Sequence, residues 1–314
     1  MRRLLPALPL LIGWIGPSAA PRGRPPLTAA PPARASALAP IDSLRSRLAA
    51  RIAATPGAEV AVWFEDLAHR DTLALSAGVS FHAASTMKIP VMIELFRRVD
   101  AGRSSFADEF FLQNAFESIV DRSVYALDPK DDSDSSLYAL VNQNVSLREL
   151  NERMITRSSN LATNALLQLL DPARVTATAH ALGAHDMQVL RGVEDGKAFE
   201  KGLNNTTTAR DLGVLLAAIE RGRAASRVQC DSMRSILLRQ EFRDEIPAGL
   251  PPGTPVAHKT GWITGTLHDA AIVYPKGRTP YVLVVLTRKI PQQRDAQALI
   301  ADLSRIVYGY VMRE

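Results

Sequence analysis

The sequence predicts an α/β chain of the α+β type, with one antiparallel five-stranded sheet flanked by helices and an all-helical region inserted into it. Three observations carry this. β-prone runs fall near the two ends of residues 41–314, at 59–75 and 256–287. The C-terminal runs follow one another at the close spacing of a meander, which favours antiparallel pairing. Between them lie helical patterns and polar loops, so one sheet must be assembled from both ends of the chain. The main domain is placed at 41–314, with a helical subdomain at about 85–205. No internal repeat is visible.

Taken in order, residues 1–20 have a charged start (Met1-Arg2-Arg3), an apolar run from Leu4 to Gly16 and a small-residue end (Ser18-Ala19-Ala20). That is the layout of a secretory signal peptide, and it is too short to cross a bilayer comfortably. A secreted or periplasmic location is expected. An uncleaved membrane anchor is the less favoured alternative, raised by Pro21 directly after Ala20. Residues 21–40 are Pro-, Ala- and Arg-rich and read as a linker.

Residues 42–53 carry Leu44, Leu48 and Ile52 on one helical stripe. Glu59–Glu65 and Thr72–Leu75 read as a hairpin across the turn-like Ala68–Asp71. A helix from Ser85 to about Asp100 stops at Ala101-Gly102. Residues 104–144 give no periodic signal. Within them Asp128–Ser136 reads as a solvated acidic loop, since it lacks the glycine and terminal glutamate of a calcium loop. Ser146-Leu-Arg-Glu149 is a capping box that opens a helix through Ile155. Ser158-Ser159-Asn160 interrupts, and Leu161–Leu170 resumes. Asp171-Pro172 caps a short helix that ends near Gly183. Residues 189–205 are polar and glycine-punctuated, a loop. Thr208–Asp211 caps a helix to about Arg221, and another spans roughly Ser226 to Gln240. Strands follow at Val256–Thr260, Asp269–Tyr274 and Tyr281–Thr287, then a closing helix at 292–312. The single cysteine, Cys230, can form no intrachain disulfide and reads as a buried small hydrophobe.

Hydrophobic content of 46% and charged content of 22% are ordinary globular values. The net charge of +5 belongs to residues 1–40, which hold five arginines and no acid. From Ile41 onward 32 basic residues balance 32 acidic ones, so charge offers no case for nucleic acid. No His or Cys cluster has metal-ligand spacing, and neither a metal nor another cofactor is expected.

Chemistry concentrates at three places. In Ser85-Thr-Met-Lys88, a helix would put Lys88 on the same face as Ser85, one turn on. A serine hydroxyl needs a base to become a nucleophile, and burial lowers a lysine pKa towards what a base requires. The helix start also offers N–H groups to a developing oxyanion. Ser-x-x-Lys alone is common on ordinary amphipathic helices. It is joined here by Ser158-Ser-Asn160 and by Lys259-Thr-Gly261 on a strand.

These three motifs, in this order and on these elements, resemble the penicillin-recognising serine hydrolases, class A β-lactamases most of all. The resemblance covers nearly everything after residue 41. It implies Ser85 as acylated nucleophile, Lys88 as its base partner and Ser158 as proton relay to the departing nitrogen. Asn160 would hold a substrate side-chain amide, and Lys259 and Thr260 a substrate carboxylate. Gly261 would let the backbone come close, and the N–H groups of Ser85 and Trp262 would form the oxyanion hole. Three departures stand out. Ser159 occupies the place of an aspartate, an insertion around 115–137 lengthens the path between the first and second motifs, and the 189–205 loop is short. Arg191-Gly192 aligns Glu194 with the glutamate that activates the deacylating water, while the spacing to Asn204 aligns Glu200. Glu194 is favoured. The implied activity is opening of a β-lactam ring through a Ser85 acyl-enzyme that water then hydrolyses. The alternative is a D-alanyl-D-alanine peptidase, or a serine hydrolase or penicillin-binding module with slow deacylation. The implied partner is a small β-lactam or a peptidoglycan-like peptide, with no stable membrane partner and a monomeric chain.

Overall fold

The computed structural model describes residues 41–69 and 71–313. The expected signal peptide (1–20) and linker (21–40) lie outside the described residues.

Helix α1 (Ile41–Ala53) precedes the hairpin of β1 (Glu59–Asp66) and β2 (Thr72–Leu75). The chain passes through β3 (Phe81–His82) and a 3-10 turn at Ala84–Met87 into α2 (Lys88–Asp100). Three short strands follow, β4 (Glu109–Phe111), β5 (Phe116–Glu117) and β6 (Val124–Tyr125). A second 3-10 segment, Ser135–Leu140, leads to β7 (Asn144–Ser146). Helices α3 (Leu147–Thr156), α4 (Asn160–Leu170) and α5 (Pro172–Ala181) come next. Short α6 (Gly196–Glu200) and β8 (Thr206–Thr207) precede α7 (Ala209–Glu220) and α8 (Arg227–Leu237). The chain closes with β9 (Val256–Ile263), β10 (Thr266–Val273), β11 (Tyr281–Arg288) and α9 (Gln293–Val311).

The five-stranded sheet has the order β2-β1-β11-β10-β9 and is antiparallel throughout. β1 and β11 join its N- and C-terminal pieces, with Val62 opposite Val285. Alternation along the strands separates two cores. Val62, Phe64 and Leu283 face α1 and α9 through Leu44, Leu48, Leu303 and Val307. Ala61, Val284, Leu286 and Ala270 face the other way, into the helical region. Covering both faces explains why Tyr281–Thr287 is apolar without alternation. Gly213 brings α7 onto the sheet, since a Cβ there would lie 2.2 Å from the Trp63 ring.

Residues 88 to 96 of α2 are all buried, so this helix is the axis of the helical region rather than a surface helix. Pro90 fits because it stands in the first turn, where its missing N–H has no helical partner to lose.

Two expectations need correction in part. The 128–136 segment is solvated along most of its length, as expected, but Asp132 and Asp134 within it are buried. Asp134 takes Arg153 at 2.9 Å and Arg157 at 3.8 Å. The 189–205 loop is not wholly irregular, since it contains α6, capped by the Asp195 side chain on Ala198 N–H. β9 and β10 also run further towards each other than their apolar cores suggest. The segment without periodicity, 104–144, is built from two- and three-residue strand pairs, β4 with β7 and β5 with β6. Among the described residues no helix is long and apolar enough to cross a membrane.

Candidate active site

Ser85 stands in the 3-10 turn that enters α2, where backbone N–H groups are not yet claimed by the helix. The turn is held from behind. His82 Nδ1 accepts from Ala84 N–H at 3.0 Å, and His82 O lies 2.9 Å from His268 Nε2 on β10. In front of it runs β9, the sheet's edge strand, which leaves alternate N–H groups facing the cleft. The approach is close. A Cβ on Gly261 would lie 3.0 Å from both Ser85 N and Thr86 N, so glycine is what lets the strand reach the serine. Trp262 follows on the same edge, half-exposed, with its ring in the cleft.

Lys88 is fully buried one turn on. Its Nζ donates to Ser158 O at 2.6 Å, Ser158 Oγ at 3.1 Å and Asn160 Oδ1 at 2.9 Å. The Ser85 hydroxyl is not one of these three partners. Burial brings the Lys88 pKa down to about 7, and the carboxylates of Asp132 and Glu194 oppose that fall. Lys259 is buried too and reaches the same hydroxyl, at 3.0 Å from Ser158 Oγ and 2.8 Å from Thr260 O. Burial, with the Lys88 charge adding to it, holds Lys259 well below the ordinary lysine range, against Asp269 and Glu245. Ser158 Oγ thus has a lysine on each side. With both lone pairs accepting, its own proton is the part left to donate.

Ser158 has φ 58° and Glu194 φ 61°, both in the left-handed region that a non-glycine residue enters only at a cost. Each is held in place by its surroundings. Ser159 caps α4, its side chain accepting from Ala162 N–H at 3.2 Å, and Asp132 accepts from the N–H groups of Asn160 and Leu161. The loop carrying Glu194 is closed at its neck by Asn205, whose Oδ1 takes Leu190 N–H at 2.8 Å and whose Nδ2 donates to Arg191 O at 3.0 Å. Arg191 spans the loop to Leu203 O and Asn204 Oδ1. Asp195, also buried, accepts from Ser118 Oγ at 2.8 Å and Ile119 N–H at 3.0 Å. Tyr125 donates to Val193 O at 3.2 Å. The hairpin of β5 and β6 therefore braces this loop.

Asn160 Nδ2 lies 3.5 Å from Glu194 Oε1, so the amide of Asn160 bridges Lys88 to Glu194. Ser85, Asn160, Glu194 and Trp262 line one cavity of about 330 Å³, together with His82, Arg191 and Phe199. Glu200 ends α6, is exposed and does not line it. Lys88, Ser158, Lys259, Thr260 and Gly261 do not line it; Lys88 connects to it through Asn160, and Lys259 meets Lys88 at Ser158 Oγ. The arrangement places a nucleophile, a lysine of lowered pKa, a doubly held hydroxyl and a carboxylate around one space, as acyl transfer requires. Among the described residues no His, Cys, Asp or Glu group could hold a metal ion.

Asp132, Asp195 and Phe199 were not singled out from the sequence. Asp195-Gly-Lys-Ala198 is a helix-cap pattern that could have been found. Nothing local ties Asp132 to the site, since its bonds to the second motif reach residues 27 to 29 positions away.

The beta-lactamase enzyme family model matches residues 43–311. Beta-lactamase AST-1 of Nocardia asteroides is 29% identical over 263 residues, spanning 82% of this chain and 81% of that protein. A beta-lactamase of Streptomyces albus G is 34% identical, but over only 54% of this chain and 55% of its own length. Among solved structures, PBP-A superposes with a TM-score of 0.74 at 26% identity, over 87% of this chain and 98% of that one. A beta-lactamase of Sphaerobacter thermophilus gives 0.75 at 26% identity, over 85% and 97%. A PBP-A variant has been solved as an acyl-enzyme complex with penicillin G.

Proposed function

The chain belongs to the beta-lactamase enzyme family, and on that premise we propose that it opens β-lactam rings and releases the product by hydrolysis of a Ser85 ester. Ser85 Oγ attacks the lactam carbonyl while its proton passes to Lys88, whose pKa of about 7 leaves much of it neutral at neutral pH. The oxyanion lies against the N–H groups of Ser85 and Trp262. The ring C–N bond breaks as Ser158 donates a proton to the nitrogen, and Ser158 is reprotonated from the lysines beside it. Thr260, with the Lys259 charge behind it, receives the substrate carboxylate. In the second half Glu194 takes a proton from water, the water oxygen attacks the acyl carbon, and the ester C–O bond breaks as a proton is passed on to the departing Ser85 oxygen, which restores both the serine hydroxyl and the Glu194 carboxylate.

The observation that carries this reading is the place of Glu194. It shares the cavity with Ser85 and reaches Asn160, on a loop braced from two sides. The reading with slow deacylation, a peptidase or penicillin-binding protein, is favoured by the likeness to PBP-A. Intact mass of the protein mixed with a penicillin, followed alongside hydrolysis, separates the two. Steady hydrolysis with little adduct is expected, and Glu194→Gln should trap the ester with deacylation slowed on the order of 1,000-fold. Glu200→Gln should behave as wild type. A persistent wild-type adduct would move the assignment to the second reading. Export through residues 1–20 belongs to the same proposal, and N-terminal sequencing of the secreted or periplasmic protein tests it.

A further inference from the structure

The second motif has a serine, Ser159, at its centre, and its hydroxyl takes only one of the first N–H groups of α4, that of Ala162. A helix start buried beneath a reaction site must satisfy the others. The carboxylate that does so comes from 27 residues upstream, out of the acidic 128–136 segment. Asp132 is buried, with Oδ2 2.9 Å from both Asn160 N and Leu161 N, and Oδ1 3.0 Å from Asn160 N. Tyr138 donates its hydroxyl to Oδ2 at 3.1 Å, and Asp134 N–H donates to Oδ1 at 3.0 Å. The position favours negative charge, since it lies on the positive end of the α4 dipole. Two residues before the first of these N–H groups is Ser158, in its left-handed conformation. Ser158 and Asn160 are in turn the residues that hold the Lys88 ammonium.

We propose that Asp132 is a positioning residue of this active site: by anchoring the first turn of α4 it fixes Ser158 and Asn160 around Lys88, so the second motif is completed from outside its own sequence. This rests on the acyl-transfer reading only in assigning Lys88 to that reaction. The anchoring itself follows from the hydrogen bonds. A carboxylate here does two separable things. It holds backbone, and it also places negative charge near Lys88, whose other charged neighbours are Glu194 from the cavity loop and Lys259 from β9. Beside Asp132 stands Asp134, already paired with Arg153 and Arg157, and Asp128 acts on the Tyr138 hydroxyl that Asp132 holds.

The isosteric Asp132→Asn keeps the shape but presents an amide to N–H groups that need acceptors. Two measurements on the full chain test the proposal. In the first, Ser85 acylation by a penicillin is read by adduct mass from pH 5 to 9. Asp132→Asn should slow acylation roughly 10- to 100-fold, as a small misplacement does. Its rise with pH should also move lower by about one unit, because the ammonium form of Lys88 loses an opposite charge. In the second, the Lys88 15Nζ resonance is titrated without substrate, so it decides the question even if no penicillin acylates the protein. The same downward shift is expected there, with Asp134→Asn leaving the titration in place. If Asp132→Asn fails to fold, Tyr138→Phe removes one donor from the carboxylate and should slow acylation several-fold at unchanged Tm. Wild-type acylation and an unmoved Lys88 titration in a folded Asp132→Asn would overturn the proposal. A fall in Tm with both pH curves unmoved would overturn it too, leaving Asp132 a helix cap and nothing more.

Discussion

The two walls of the cleft are built on different principles. On one side β9 and the Ser85 turn are fixed by regular backbone. The edge strand is registered on β10 residue by residue, and Gly261 brings it against the serine. On the other side Ser158 and Glu194 stand on irregular backbone with left-handed φ values, held by buried carboxylates that accept from distant N–H and O–H groups. On the proposed reading the first wall carries the nucleophile and the oxyanion N–H groups, while the second carries Ser158, the proton donor of acylation, and Glu194, the base of deacylation. A ladder gives precision by repetition. A strained loop gets it only from specific side-chain partners, which makes its function removable one residue at a time.

The sharpest way to break this division is Gly261→Ala. Its added methyl would press on Ser85 N and Thr86 N, so acylation should fall on the order of 100-fold, with deacylation of any ester formed nearly unchanged. Single-turnover mass measurements separate the two steps. Asp195→Asn attacks the opposite wall. It weakens the bonds to Ser118 and Ile119 and should slow deacylation about tenfold while acylation stays within about twofold. Without mutation, kcat/KM for a penicillin should rise with pH through about 7, because the folded pKa of Lys88 is depressed and its neutral form accumulates above that value. A profile flat from pH 5.5 to 8.5 would remove Lys88 as the base. The smallest effect belongs to Lys197→Ala. Its pair with Asp121 ties the same hairpin to the same loop but is exposed, so deacylation should change less than about twofold.

What was legible in the sequence divides along the same line. The helix stripe of Leu44 and Leu48, the capping box at Ser146, the N-cap and proline at Asp171-Pro172 and the β-prone runs that form the sheet are all local patterns, and the structure places elements there. Ser85, Lys88 and Lys259 stood out because their motifs are short and lie on regular elements. The 104–144 segment and the brace on Glu194 were not legible, because their bonds join residues 13 to 77 positions apart through single side chains. Charge also misled. An acidic, serine-rich run reads as solvated, yet Asp132 and Asp134 are buried because their partners are helix N–H groups and two arginines contributed from elsewhere in the chain. The choice between Glu194 and Glu200 could not be made from spacing alone, since both lie on one short loop. Their difference is which side of α6 each occupies.

Asp195 has a consequence for transplantation. Its carboxylate caps α6 with one oxygen and grips Ser118 and Ile119 with both, so the 116–125 hairpin and the 189–205 loop share one joint. A chimera that receives the loop without the hairpin inherits a buried charge with two of its three partners gone. The two segments must therefore move between scaffolds, and accept insertions or deletions, as a single cassette.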